Sequence, residues 1–281
     1  MVWDTLLTAA VLIVGFFVVF FVGKLVNDLL HREYRLDEEL VQRDNAALAL
    51  AVAGYYFGLV LAVGGALAGP SKGIVDDLID LAVYGALAIV LLNISWFLCD
   101  RLILYKFKIG EELVRDQNQG TGVVSAAVSV ASGFILYGSI RGEGGTIWTV
   151  LVFWAIGQAI LILAGLVYGW ITPYNVQAEI EKDNVAAGVS FAGALVAVGA
   201  IIGLAGEGDF TSYSHDLPRY LGYAALGLVL LPIVRFLTDW ILLPGVKLSD
   251  EIAHQEKPNL GAAYLEAFSY VAAAFIIYWC V

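Results

Sequence analysis

Charge is scarce in this chain. Only 15% of its 281 residues are Asp, Glu, Lys or Arg, and 60% are hydrophobic. Soluble domains carry about 25% charged residues and 45–50% apolar ones, so a soluble globular protein is excluded. Cysteine is nearly absent: Cys99 and Cys280 are the two. They fall at opposite ends of apolar segments, which predicts a separation far beyond the ~4.4–6.8 Å between Cα atoms that a disulfide allows. His31, His215 and His254 are scattered without the spacing of a metal site, so no metal and no cofactor are expected. No P-loop and no nucleophile–base motif occurs, which argues against an enzyme. Residues 206–209 spell GEGD, the GxGD of intramembrane aspartyl proteases. They lie at the end of an apolar run rather than inside it, and no Tyr-Asp partner motif occurs. Basic residues are outnumbered 15 to 26, for a net charge of -11, so nucleic acid is not an expected partner. The start, Met-Val-Trp-Asp, lacks the basic segment and cleavage site of a signal peptide, and the first apolar run is expected to stay in the mature protein.

What is present in quantity is long uncharged runs. They cover residues 5–23, 45–71, 81–99, 117–140, 144–178 and 184–206. A hydrocarbon core ~30 Å thick is crossed by ~20 apolar residues of helix, and each run has about that length or more. Residues 220–243, with Arg235 and Asp239, and 259–281, with Glu266, are apolar apart from isolated charges. The chain therefore reads as an all-α polytopic membrane protein of eight transmembrane helices, with the lipid bilayer as its first partner.

An internal duplication organises these spans. Residues 91–104 (LLNISWFLCDRLIL) and 230–243 (LLPIVRFLTDWILL) share seven of fourteen positions at an offset of 139 (230 − 91). Residues 43–54 (RDNAALALAVAG) and 182–193 (KDNVAAGVSFAG) share five of twelve at the same offset (182 − 43). Two distant blocks in one ungapped register predict two four-span units, 1–142 and 143–281. A unit with an even number of spans returns the chain to its starting side, so the units are parallel repeats rather than the inverted repeats of many transporters. A weaker echo lies within the first unit: Glu38-Glu39-Leu40-Val41 recurs as Glu111-Glu112-Leu113-Val114, and Asn45 as Asn118, both 73 residues on (118 − 45). The last counterpart, Asp250-Glu251-Ile252 leading to Asn259, requires a two-residue insertion. Each unit thus reads as a pair of related hairpins.

Lys and Arg are unevenly placed. The loops after odd-numbered spans hold Arg32, Arg35, Arg43, Lys106, Lys108, Arg115, Lys182, Lys247 and Lys257, whereas the opposite side has Lys72, Arg141 and Arg219. The positive-inside tendency then places the repeated acidic loops in the cytoplasm and both termini outside. The outer face reads as acidic, with Asp4, Asp76, Asp77, Asp80, Glu143, Glu207, Asp209 and Asp216.

A short four-span unit, a loop with Glu-Glu-Leu-Val ahead of Arg-Asp-Asn, and an Ala/Gly-rich second span together resemble the DUF350 family, also catalogued as UPF0719. Its members are bacterial inner-membrane proteins, often a single four-span unit. The resemblance covers nearly the whole chain and implies two fused copies in the inner (plasma) membrane. The second unit departs from the pattern, with Gln177-Ala178-Glu179 where the first has Glu38-Glu39-Leu40. That departure counts against any role requiring the acidic pair in every copy.

The candidate residues follow from the repeat. Asn45, Asn118, Asn184 and Asn259 each open an even-numbered span, preceded by acids such as Glu38, Glu39, Glu111 and Glu112. Asn caps helix starts well and acids suit the dipole there; the alternative is a repeated cation or headgroup site. Asp100 and Asp239 occupy equivalent positions in spans three and seven. Charges within spans are costly and mark pathways. Each nevertheless has a structural partner in reach: Arg101 beside Asp100, and Arg235 four residues before Asp239, the spacing at which Lys24 precedes Asp28. Glu266 lies seven residues into span eight, where the other hairpins have Val52, Ser125 and Phe191. It is either ion-coupling or paired with Arg235. Gly54/Gly58, Gly165/Gly169 and Gly199/Gly203 have the spacing that lets membrane helices approach closely, within the chain or in a homo-oligomer. Two function classes result: an ion or small-solute channel or transporter through Asp100, Asp239, Arg235 and Glu266, or a non-conducting scaffold or membrane-stress subunit. In the second case the cytoplasmic loops would dock a cytoplasmic or membrane protein partner.

Overall fold

A computed structural model describes residues 2–71 and 73–280; Lys72 lies outside the described residues. Among the described residues, eight helices are long and apolar enough to cross a membrane. They are α1 (Val2–Leu30), α3 (Ala46–Leu67), α4 (Ile74–Leu98), α6 (Gln119–Ile140), α7 (Ile147–Ile171), α9 (Val185–Gly206), α10 (Tyr213–Leu237) and α12 (Leu260–Cys280). Four six-residue helices, α2 (Leu36–Val41), α5 (Ile109–Val114), α8 (Val176–Glu181) and α11 (Leu248–Ala253), follow the odd-numbered spans on one face. The fold is all-α, and its eight spans form two parallel four-helix repeats.

The spans sort into two rows. The even-numbered ones, α3, α6, α9 and α12, stand side by side in chain order. Their backbones touch because glycine and alanine line the seams. A Cβ on Gly54 would fall 2.2 Å from Cα of Ala126, and one on Gly193 2.4 Å from Cα of Ala267. Those two contacts are the same contact in the two units. At the middle seam Gly199 meets Ala131, and Gly203 meets the Phe134 backbone. Without water to drive association, membrane helices gain from such close van der Waals contact. Gly165 and Gly169 depart from the expectation: a Cβ on Gly165 would rest 3.4 Å from the Phe191 ring, and one on Gly169 would meet nothing within 4 Å. Spacing identifies a small-residue face but not whether a backbone lies opposite it.

The odd-numbered spans form the second row. α4 packs on α3 and α6, α7 on α6 and α9, and α10 on α9 and α12. Each therefore lies over the groove between two even spans. Both α4 and α10 end in one widened, π-type turn, over Cys99–Ile103 and Thr238–Leu242, so the duplication extends to an irregularity of backbone. Cys99 and Cys280 are both free thiols.

Candidate functional site

Three kinds of polar feature meet the face that carries the short helices. The first repeats four times. Each capping asparagine accepts the N–H three residues on: Asn45 from Leu48 at 3.0 Å, Asn118 from Thr121 at 2.8 Å, Asn184 from Ala187 at 3.0 Å and Asn259 from Ala262 at 3.1 Å. The same side chain donates through Nδ2 to an acid of its own short helix: Glu39 (3.0 Å), Glu112 (2.8 Å), Glu179 (3.1 Å) and Glu251 (2.7 Å). In the first three hairpins Nδ2 also donates to a carbonyl of the next short helix. Those bonds run from Asn45 to Leu113 at 2.8 Å, Asn118 to Ile180 at 2.6 Å and Asn184 to Ile252 at 2.9 Å. One amide thus caps a span, ties down its own loop and latches the following hairpin.

The third hairpin reaches this arrangement with a shifted register. Glu179 bonds Asn184 from five residues away, where Glu39 and Glu112 stand six before their asparagines. The missing acid at Ala178 is thus replaced by its neighbour. The residues just before the caps, Asp44, Gln117 and Asp183, take left-handed backbone with φ of 51, 51 and 60°, a conformation that aspartate tolerates better than most residues. Glu38 and Glu111 point away from the latch and pair with Arg35 and Lys108 of their own loops. Glu112 is buried against the latch, and burial raises its carboxyl above the ordinary glutamate range.

The second feature concerns Asp100 and Asp239. Asp100 Oδ1 accepts the Ile109 N–H at 2.8 Å, and Asp239 Oδ1 accepts the Leu248 N–H at 2.7 Å. Each carboxylate, presented by the widened turn, satisfies a donor at the start of the next short helix nine residues on. The two lie in separate units, each at its own helix end. No ion pair joins Arg235 to Asp239 among the described residues: Asp239 takes the backbone N–H, and Arg235 turns inward.

The third feature occurs once. Arg235 Nη1 donates to Glu266 Oε1 at 2.5 Å, and Nη2 donates to Ser249 Oγ at 3.0 Å. The Tyr270 hydroxyl donates to the same carboxylate oxygen at 3.2 Å, and the Tyr168 hydroxyl accepts from Nη1 at 3.4 Å. Glu266 has no exposed surface and Arg235 is 6% exposed. Ser190 on α9 is buried beside the same carboxylate, with its hydroxyl available to the second oxygen of Glu266. From the short-helix face a crevice of about 560 Å³ reaches Arg235, lined also by Asp239, Lys247, Ser249, Asp250 and His254. Among the described residues no group of His, Cys, Asp and Glu could hold a metal ion.

The first unit has none of this cluster. Trp96 stands in place of Arg235, Gly110 of Ser249 and Leu29 of Tyr168; with the two-residue insertion, Ser125 stands in place of Glu266 and Ser129 of Tyr270. Trp96 packs edge-on against His31, 4.4 Å between ring centroids. A matching crevice exists there, about 400 Å³, lined by Glu33, Trp96, Asp100, Lys108, Glu111 and Arg115; its ion pairs, Lys108–Glu111 and Arg115–Glu111, are exposed ones.

Two units with the same latch, the same widened turn and the same helix seams imply a single ancestral domain used twice. The family described as "Domain of Unknown Function (DUF350)" matches residues 1–140 and again 144–281. The chain belongs to the DUF350 family. Its relatives include a "UPF0719 transmembrane protein" of Aquifex aeolicus (strain VF5), 26% identical over 270 residues, 94% of this chain and 96% of that protein. No solved structure matches it.

Within this DUF350 protein, sequence reasoning singled out Arg235 and Glu266 but missed Tyr168, Ser190, Ser249 and Tyr270. Each stands where the first unit has Leu29, Ala51, Gly110 or Ser129. A position-by-position subtraction of the two units would have found all four.

Proposed function

We propose that this DUF350 protein is a carrier of an ion or small solute, with the Arg235–Glu266 pair as its polar centre, reached from the cytoplasm. The supporting orientation comes from the Lys/Arg bias, which puts the short-helix face in the cytoplasm and both termini outside; the bacterial inner membrane is what the family resemblance implies.

One observation carries the reading: the duplication holds its own control. The first unit forms the same fold with Trp96 and Ser125 where the second has Arg235 and Glu266. The fold therefore does not require the charges. A buried ion pair is weak as a stabilising device and often no better than an apolar replacement. Ionisable groups within spans mark substrate or proton routes by default.

The even-numbered row offers no alternative route, because its backbones are in contact at every seam. The same contact favours the second reading, a non-conducting scaffold whose cytoplasmic helices dock a protein partner. Reconstitution in liposomes decides between them. Flux of H⁺, Na⁺, K⁺ and polyamines is measured for the native protein, for Glu266→Gln, and for Arg235→Trp/Glu266→Ser, which installs the first unit's residues. Carrier function predicts flux in the native protein, at least a tenfold loss or altered pH dependence in Glu266→Gln, and none in the double variant. Native flux no greater than that of empty liposomes would leave the scaffold.

A further inference from the structure

The repeating step of this fold stops at both ends without a terminator. Three times, an even span packs on the next, its asparagine latches the following short helix, and an odd span lies over the groove between them. Where the step is complete, the latching asparagines are buried: Asn45 is 1%, Asn118 1% and Asn184 5% exposed. Asn259 is exposed and bonds only Glu251 through its Nδ2, leaving one of its two N–H donors without the carbonyl that the others reach. The residues receiving the latch are equally buried, with Leu113 2%, Ile180 0% and Ile252 0% exposed. Their counterpart in the first hairpin is Leu40, 38% exposed, and beside it Val41 is 84% exposed. The odd row breaks at the same end. The most apolar window of α1 is 6% buried, against 44%, 39% and 33% for α4, α7 and α10, because no even span precedes α3.

A donor without its acceptor stands at one end, and an acceptor position without its donor at the other. We infer that copies of this chain join head to tail in the membrane, α12 of one copy standing beside α3 of the next in the same order as α6 beside α9, at a wider spacing. The Asn259 amide then latches the Leu40 carbonyl, and α1 of the second copy lies over the new groove. Carrying the α6–α9 and α3–α6 contacts forward sets Gly261 against Ala49, Phe268 against Ala53 and Trp279 against Gly64. Every one of these pairs has a small partner. Phe268 and Trp279 are 67% and 76% exposed in the single copy; they stand where the inner seams have Gly54 and Gly138, whose Cβ would meet the opposite backbone, so the seam between copies is wider than those within one. Lipid covers a face without discriminating; it does not account for a matched polar donor and acceptor at opposite ends. The contact joins two different surfaces, so it is heterologous and builds a ring or an open row rather than a twofold dimer.

Mixed-copy crosslinking tests this in membranes. In a Cys280→Ser background, with Cys99 buried and left in place, one tagged population carries Ala49→Cys and another Gly261→Cys. Val60→Cys and Ala272→Cys form a second pair one register higher, so failure of one variant to fold leaves the other informative. Under mild oxidation, co-expressed partners are expected to give covalent dimers at either pair, and each variant expressed alone to give none. Both cysteines in one chain are expected to give a ladder of higher species. Absence of crosslinks at both pairs, or dimers formed by Gly261→Cys alone, would overturn the proposal.

Discussion

Arg235 on α10 and Glu266 on α12 are joined through one carboxylate oxygen at 2.5 Å, and Ser190 on α9 stands beside the same carboxylate. A guanidinium can hold a carboxylate with two parallel bonds, and here it does not. Its second nitrogen donates to Ser249 instead, which with Arg235 lines the crevice.

Stability separates the pair from its parts. Glu266→Ala leaves a buried guanidinium without its carboxylate, and Arg235→Leu the reverse; each is expected to cost about 3–5 kcal/mol. Arg235→Trp/Glu266→Ser removes both charges and copies the first unit, so it should unfold at a higher temperature than either single variant. Thermal melting in detergent for all three measures this coupling. A double variant as unstable as the sum of the singles would contradict it.

The latch predicts a gradient along the chain. Asn118→Ala loses a cap, a bond to Glu112 and the tie to Ile180. A cap contributes about 1 kcal/mol and a bond to a charged group about 1.5–3, so a loss of roughly 3 kcal/mol is expected. Asn259→Ala, in isolated copies, lacks the third tie and should cost less. Equal melting losses in monomeric preparations would show that the bond to the next hairpin contributes nothing.

Glu112 supplies a pH dependence. Its carboxyl is raised by burial, so the folded protein binds this proton more readily than the unfolded chain does. Stability from this group is accordingly greatest in acid and falls as pH rises through the folded value. Glu112→Gln keeps an acceptor for Asn118 without the charge. It should melt above the native protein near neutral pH and converge with it toward pH ~4, the ordinary glutamate range. A constant difference across that range would assign the effect elsewhere.

Helix contact can be tested by adding a single methyl group. Gly133→Ala would bring Cβ to 2.6 Å from Gly58 Cα, whereas at Gly169 nothing lies within 4 Å. The first substitution is expected to cut the yield of folded protein several-fold and the second to leave it unchanged, as read by size-exclusion profiles of detergent extracts.

Orientation is tested with an impermeant thiol reagent in intact cells, in a Cys280→Ser background. Cysteine at Glu143 should react, and cysteine at Arg35 or Lys108 should not. Labelling of the second set alone would invert the topology.

The spans were legible because hydrocarbon thickness imposes one length on every helix, and the two repeats because Asp100 and Asp239 sit in an ungapped register. The roles of those aspartates were not legible. A carboxylate near a span end looks the same in sequence whether it lines a route or accepts an N–H nine residues on, and the widened turn that aims it has no sequence signature. Arg235 looked like a partner for Asp239 at helical spacing, yet it faces α12, because spacing along one helix says nothing of a neighbour's charge. The shift from Glu39 to Glu179 escaped for a related reason: alignment compares positions, whereas the latch needs only an oxygen within reach of an amide.

The latches also point in one direction in time. Asn45 waits for a carbonyl 68 residues downstream, Asn118 for one 62 residues on and Asn184 for one 68 residues on. At roughly 5–20 residues per second of synthesis, each hairpin stands in the bilayer for some 3–14 s before the next arrives to close it. Insertion in chain order would therefore close the latches one after another, each hairpin meeting the donor that its predecessor left open.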